Sequence, residues 1–346
     1  MKIAIDISPL SNENKVRGVG FYLLNLKNEI LKNFKEDEFI FFSEKLTESA
    51  DVVFYPYFDP FRITLPIFKK IPTVVTIHDL TPIIFKKHFP AGIRGNLVWE
   101  IQKKILKNVD LIITDSNSSK KDIIKLAGIK ENKVKVVYLS EGDEFRQIKD
   151  KKQLLEVKNK YNLPDKFGLY VGDVTWNKNL PRVTDAFKKT KIPLVMVGKA
   201  LVDENFDREN IWNKDRIYVL ENTKDKDQFI RLGFIPTSDL VAIYNLATFS
   251  ITASLYEGFG LPILEAMRCG TPVVASSKGS ISEVGGEDSV FYIDAEKEES
   301  IERGISEVFK NKSLQEKLSK KGLMQASKFS WKKTAMETIE AIKSIY

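Results

Sequence analysis

Apolar positions along this chain follow two rhythms that alternate from the first residues onward. Residues 2–7 (KIAIDI) form a short apolar run suited to a buried strand, and 11–20, polar and glycine-containing, read as a loop. Residues 21–33 then place Tyr22, Leu23, Leu26, Ile30 and Leu31 at helical spacing. Further strands are predicted at 39–43, 52–55, 72–77, 111–114 and 134–138, and helices at 96–108 and 118–127. Strand, glycine loop, helix is how a Rossmann-type unit opens, and continued alternation predicts α/β architecture with a largely parallel sheet.

The alternation breaks over 140–165, which is polar and charged with one helical segment, and then resumes. The second series predicts strands at 168–171, 194–197, 216–219, 249–252 and 272–275, with helices at 180–188, 238–245 and 261–268. From 298 to 346 the pattern is helical with no further strand. The expected organisation is therefore two Rossmann-like domains, 1–148 and 166–325, joined by a linker at 149–165 and followed by a terminal helix at 326–346. There is no short-period repeat.

Composition narrows the class. Of 346 residues, 43% are hydrophobic and 29% charged, the balance of a globular protein rather than a disordered one. The single cysteine, Cys269, excludes a disulfide within the chain, and the two histidines argue against a multi-His zinc site. The amino-terminal residues lack a signal-peptide pattern, and no stretch approaches a membrane span. A cytoplasmic setting is expected. The net charge of +7 is uneven: between Arg62 and Lys135 fifteen Lys/Arg face six Asp/Glu. That stretch reads either as a solvated basic face or as peripheral contact with anionic lipid at the inner face of a membrane. No nucleic-acid module accompanies it.

The densest chemistry lies in 256–272, YEGFGLPILEAMRCGTP. A strand is predicted to end before it, the chain turns on Gly258-Phe259-Gly260, and a helix begins near Leu261 with Pro262 in its first turn, where a missing N–H costs nothing. The first-turn N–H groups and the positive end of the helix dipole make such a place an anion site suited to a diphosphate. Glu257 stands before the turn and Glu265 one turn inside the helix, so two carboxylates can grip one ligand, its sugar and its ribose. Lys178 follows a strand–glycine turn at Gly172, and His78 follows a predicted buried strand at the edge where open α/β sheets bind ligands. Asp79 reads equally as a loop cap or as a partner for His78. His88 reads as an exposed residue, Cys269 as a small buried hydrophobe, and Asp225-Lys226-Asp227 as a solvated loop rather than a metal–diphosphate site. Gly18-x-Gly20 is a weak dinucleotide fingerprint, with neither a third glycine nor an acidic residue on a following strand.

The run from Glu257 to Glu265 followed by AMRCGTPVVAS closely resembles the donor-site signature of family-4 (group 1) glycosyltransferases, which have the GT-B fold. VGDVTWNKNLPRVTDAF, RLGFIPTSDLVAIYNLA, VVTIHDLTP, the RGVGFY loop and FSWKKTAMETIEAI resemble other segments of the same family, so the likeness covers most of the chain. The resemblance implies two domains facing across a cleft, with the terminal helix returning to the first. It implies that Glu257 and the backbone of Gly258, Phe259, Gly260 and Leu261 hold the donor hexose, that Glu265 holds the ribose, and that Lys178 beside Gly172 neutralises the diphosphate. Gly18 and Gly20 would approach the phosphates, His78 would lie near the reacting sugar, and Gly233, Phe234 and Ile235 would contact the base. Glu257, Lys178 and His78 are then the residues expected to serve catalysis. One departure stands out: many relatives carry an Arg beside the lysine, whereas this chain has Asn177-Lys178-Asn179 with Asp173 after Gly172, leaving Arg182 or Arg17 as substitutes.

The implied reaction is transfer of a hexose, mannose from GDP-mannose being the leaning, to a glycan or lipid-linked acceptor in polysaccharide biosynthesis. The resemblance implies retention of anomeric configuration and no metal or other cofactor. The competing readings are a sugar-nucleotide epimerase or glycan phosphorylase of similar fold, and a catalytically inactive sugar-nucleotide-binding module.

Overall fold

The computed structural model describes residues 1–11, 18–224 and 227–346. They form two compact units, one built from residues 1–140 together with 329–346, the other from 141–328. Each contains one six-stranded, all-parallel sheet.

The first sheet comprises β1 (Lys2–Asp6), β2 (Glu38–Phe42), β3 (Val52–Tyr55), β4 (Thr73–Thr76), β5 (Leu111–Thr114) and β6 (Val134–Val136), in spatial order β2-β1-β3-β4-β5-β6. Every residue of β4 and β5 is buried, as a sheet covered on both faces requires. The helices of this unit are α1 (Gly18–Asn33), the short α2 (Thr81–Ile84), α3 (Gly92–Asn108) and α4 (Asn117–Ala127). The side chain of Ser116 caps α4 by accepting the Ser119 N–H at 3.0 Å, and Gly128, at φ 67°, ends it in the left-handed region. Gly18 and Gly20 lie in the first turn of α1 rather than in a loop, so the loop expected over 11–20 ends earlier; Arg17 lies outside the described residues. The C-terminal helix, Trp331–Lys343, belongs to this unit: Trp331 meets Phe21 edge-on at 5.8 Å, and the Thr334 hydroxyl donates to the Tyr138 carbonyl at 2.7 Å.

The second sheet comprises β7 (Gly168–Val171), β8 (Leu194–Val197), β9 (Phe229–Leu232), β10 (Phe249–Thr252), β11 (Val273–Ser276) and β12 (Val290–Ile293), in order β12-β11-β10-β7-β8-β9. This is the doubly wound order in which the chain runs outward one way from β7 and then returns to β10 to build the other half. Its helices are α5 (Lys151–Lys160), α6 (Leu180–Thr190), α7 (Lys214–Thr223), α8 (Thr237–Leu246), α9 (Leu261–Arg268), α10 (Ile281–Gly285), α11 (Glu298–Lys310) and α12 (Lys312–Ala326). Phe187 and Phe249 stack at 6.2 Å against Gly168 in the core of this unit. At the ends of β7 and β8 the backbones nearly touch: a Cβ on Gly198 would lie 2.1 Å from the Gly172 carbonyl oxygen.

Three differences from the sequence reading have physical causes. The segment 216–219, expected as a strand, is the middle of α7, and β9 is the third strand of its half. Arg216, Val219, Leu220 and Thr223 are buried at helical spacing, with the Arg216 guanidinium bonded to the Ala200 carbonyl at 2.9 Å and lying 3.8 Å from the Phe206 ring. A short stretch such as Arg216-Ile217-Tyr218-Val219 does not by itself distinguish the two periods. The stretch 149–165, expected as a linker with one helical segment, is part of the second unit: its helix α5 is capped by Asp150 and fastened at its end to α8 by Lys160 and Tyr161, each 2.7 Å from Asp239 Oδ2. Finally, β12 was missed because its burial alternates only partly and polar residues flank it. Among the described residues no helix is long and apolar enough to cross a membrane.

Candidate active site

In an open α/β sheet the ligand crevice lies outside the carboxyl ends of the strands where the winding direction reverses. In the second unit those strands are β7 and β10. After β7 comes Gly172, then a single turn at 176–178 ending in Lys178; after β10 come Ser254 and Glu257. The Lys178 ammonium is 2.6 and 2.8 Å from the two Glu257 oxygens, and the Ser254 hydroxyl donates to the same carboxylate at 2.6 Å. The two residues singled out from separate motifs therefore meet at the switch point. Both are partly accessible, with side-chain exposures of 22% for Lys178 and 11% for Glu257, so a ligand can reach them.

Surrounding backbone holds this pair in place. Asn177 donates through its amide to the Tyr256 carbonyl at 3.0 Å, and its own carbonyl accepts the Leu255 N–H at 2.7 Å. The position beside Lys178, where the resemblance led to an expected arginine, is thus occupied by a side chain stitching the lysine turn to the glutamate turn. Ser280 bonds the carbonyls of Glu257 and Phe259 at 3.0 and 2.8 Å, bracing Gly258-Phe259-Gly260 from below. Gly260, at φ 103°, turns the chain into α9 in a conformation L side chains rarely adopt, with Pro262 in the first turn. Arg182, one of the two proposed substitute cations, donates to Asn179 Oδ1 at 2.8 Å.

Glu265, on the second turn of α9, accepts the Tyr244 hydroxyl at 2.8 Å. Burial pushes its carboxyl up to about 7; the Tyr244 bond offsets part of that, and the nearby carboxylates Glu141 and Glu144 add to the rise. Arg268 answers Glu141 at 2.6 Å, which relieves some of the negative charge. In the 233–235 loop Phe234 is 79% exposed and Ile235 is buried, so the phenyl ring is presented as a free face. The pair Asp225-Lys226 lies outside the described residues. Among the described residues no three His, Cys, Asp or Glu side chains gather so as to hold a metal ion.

In the first unit His78 follows β4 and Asp115 follows β5, side by side on one carboxyl edge. His78 Nδ1 lies 2.7 Å from Asp115 Oδ2, and Tyr22 packs edge-on against the imidazole at 4.8 Å. Burial disfavours the charged ring, but the Asp115 carboxylate, with smaller help from Asp79 and the Pro56 carbonyl, outweighs it, so the His78 pKa is raised. Asp79, for which capping and pairing with His78 were both open, caps: its Oδ1 accepts the Thr81 N–H at 2.8 Å. Gly18 has open space where a Cβ would stand, and Gly20 is buried. Sequence reasoning did not single out Asp115, Tyr244, Ser254 or Ser280. Asp115 was within reach, being the first residue past a predicted strand on the same edge as His78.

Two parallel sheets, the second with a charged pair at its switch point, define a Rossmann-type α/β protein with a candidate anion-and-hydroxyl site. Solved structures share this fold: a sucrose-phosphate synthase from Thermosynechococcus elongatus matches with a TM-score of 0.77 at 18% identity, covering 99% of this chain and 98% of that one. Anabaena HepE in complex with UDP-glucose matches at 0.73 and 16% identity, covering 99% of this chain and all of that one (100%). Residues 150–324 match the family Glycosyl transferases group 1, and residues 15–139 match Glycosyltransferase Family 4. The chain belongs to the group 1 glycosyltransferase family. Among its relatives, the O-antigen chain mannosyltransferase B of Escherichia coli is 30% identical over 278 residues, 78% of this chain and 70% of that protein. The serotype-specific mannosyltransferase WbdA of Escherichia coli is 29% identical over 292 residues, 82% of this chain, which spans only 35% of WbdA.

Proposed function

We propose that this protein transfers a hexose, mannose from GDP-mannose, to a hydroxyl of a glycan or lipid-linked acceptor in polysaccharide biosynthesis, retaining the anomeric configuration. The observation that carries the reading is the Lys178–Glu257 pair at the β7/β10 switch point. The names of the relatives support mannose, and the complex of Anabaena HepE with UDP-glucose supports a nucleotide-sugar donor.

In this proposal the donor diphosphate lies against the amino end of α9, where helix N–H groups and the dipole favour negative charge. Lys178 turns from Glu257 to the diphosphate, and Glu257, released, accepts hydroxyls of the sugar. The acceptor oxygen forms a bond to the anomeric carbon as the bond to the diphosphate oxygen breaks. The acceptor proton passes to the departing phosphate oxygen, and Lys178 neutralises the charge that develops there. Glu265 and Tyr244 hold the ribose, Phe234 covers the base, and His78, oriented by Asp115, serves catalysis. No metal or cofactor enters this scheme. The protein works in the cytoplasm, at the inner face of a membrane through its basic 62–135 stretch.

The test is a thermal-shift screen of nucleotides and nucleotide sugars, since ligands of the native state raise its melting point, followed by transfer to a mixed acceptor pool. GDP and GDP-mannose should stabilise the protein, and Lys178→Ala should lower turnover by about a hundredfold or more, as loss of a charge-stabilising donor does. A fully active Lys178→Ala variant would remove the residue from the chemistry. A second reading, binding without transfer, is favoured by one observation: the residue beside Lys178 is the uncharged Asn177, and its side chain is committed to the Tyr256 carbonyl. It predicts donor stabilisation with no product from any acceptor.

A further inference from the structure

Six of the sixteen exposed large hydrophobic residues described in this chain fall between positions 63 and 101. Ile93 is 92% exposed, Phe68 83%, Leu97 62% and Ile67 60%. On α3, Ile93, Leu97 and Ile101 recur every fourth residue and form one outward stripe, while Gly95, Trp99, Gln102, Ile105 and Leu106 face the core. The loop carrying Ile63, Ile67 and Phe68 is fixed alongside: the Gln102 amide donates to the carbonyls of Asp59 and Arg62 at 2.8 and 2.5 Å. Between loop and helix lies an open depression of about 570 Å³, lined in part by Phe61, Ile63 and Val98, with Arg62 and Arg94 among its walls.

Charge of one sign accompanies this apolar face. From Arg62 to Lys107 nine Lys/Arg stand against two Asp/Glu. Lys69 pairs with Asp110 at 2.7 Å and Lys103 with Glu100 at 2.6 Å, and Arg62, Lys70, Arg94 and Lys104 are exposed on the same loop and helix. A solvated basic face accounts for the cations but not for isoleucine and phenylalanine beside them. A second copy of this chain would bring the same positive charge to the contact, and nucleic acid offers nothing to an aliphatic stripe.

We propose that the loop at 61–70 and the outward side of α3 form a docking surface for an anionic lipid bilayer. Ile67, Phe68, Ile93 and Leu97 enter the boundary between headgroups and acyl chains, and Arg62, Lys70 and Arg94 meet the lipid phosphates. This deepens the membrane-facing reading of the preceding subsection and rests on it for its setting. It replaces a diffuse basic stretch with a defined face whose grip is apolar as well as electrostatic. Attraction between charges alone fades as salt is raised, whereas inserted side chains keep part of the affinity.

The experiment is co-sedimentation of the full chain with vesicles of phosphatidylglycerol and phosphatidylcholine, against vesicles of phosphatidylcholine alone, over a range of salt. Binding should require the anionic lipid and persist in part at high salt. The double variant Ile93→Ser, Leu97→Ser should bind about tenfold more weakly or worse, and Phe68→Ser should act in the same direction. Both change exposed side chains, so circular dichroism and the melting temperature should match the parent. Wild-type affinity in the double variant, or no binding to either vesicle, would overturn the proposal. So would a dimer on gel filtration that the double variant abolishes, which would assign the face to self-association. Stabilisation by GDP is read in parallel: a protein that responds to GDP but ignores vesicles sinks only the membrane face, and one that binds vesicles but ignores every nucleotide sinks the transferase reading.

Discussion

Glu265 is a carboxyl group whose environment works against its charge. Burial and the carboxylates of Glu141 and Glu144 raise it to about 7, above the ordinary carboxylate value, so the folded state holds its proton more tightly than the unfolded chain does. Stability from this group is therefore fully present below the unfolded value and lost as pH climbs through about 7. The loss is on the order of 3–4 kcal/mol, at about 1.4 kcal/mol per pKa unit. Glu265→Gln should flatten that part of the stability–pH profile while weakening nucleotide binding above pH 7, as calorimetry at two pH values can show. An unchanged nucleotide affinity would remove the ribose assignment. Asp115 acts in the opposite sense on His78, favouring the charged ring. Asp115→Asn should lower the His78 titration midpoint, and with only two histidines in the chain its imidazole proton signal is simple to assign by NMR. A midpoint that stays put would mean that Asp115 does not set the charge of the ring. Why one carboxylate was legible and the other not is a matter of what a motif records. Glu257 and Glu265 sit in one continuous stretch, whereas His78 and Asp115 are 37 residues apart and become neighbours only because β4 and β5 pair.

At the scale of elements, the switch point depends on how closely β7 and β8 run at their carboxyl ends. Gly198 has no room for a side chain: the obstacle is the Gly172 carbonyl, backbone that cannot rotate away. Gly198→Ala should destabilise the second unit by about 1–3 kcal/mol or more, measured by denaturant unfolding; a neutral substitution would show that the strand ends are not rigidly apposed. Elements bounded by clear punctuation were readable in advance. The strand β10 and the helix α9 stand where alternation, Gly258-Phe259-Gly260 and Pro262 place them. The helix α7 was misread because its buried arginine, held by the Ala200 carbonyl and the Phe206 ring, has the composition of a surface residue and the packing of a core one. The helix α5 was expected as one helical segment within the charged stretch, but with only Val157 of its ten residues buried nothing in its pattern marked it as part of the second unit.

For the whole molecule, two parallel sheets were legible from the repeated alternation of strand and helix, with all six strands of the first and four of the second, and the family from motifs spread over most of the chain. The division was less so: the first unit closes at Ser140 and takes back the chain at Phe329, because Trp331, Thr334 and Ile339 on the C-terminal helix bury themselves within it. Such a return is a tertiary fact that periodicity does not encode; the sequence carried it only through the family resemblance of its last helix. The account as a whole stands on where a nucleoside diphosphate sits. Its most direct test is a crystal structure of the protein with GDP. The account predicts the diphosphate at the amino end of α9 within hydrogen-bond reach of Lys178, with the ribose hydroxyls on Glu265. A nucleotide bound away from the β7/β10 edge, with the Lys178–Glu257 pair undisturbed, would contradict it.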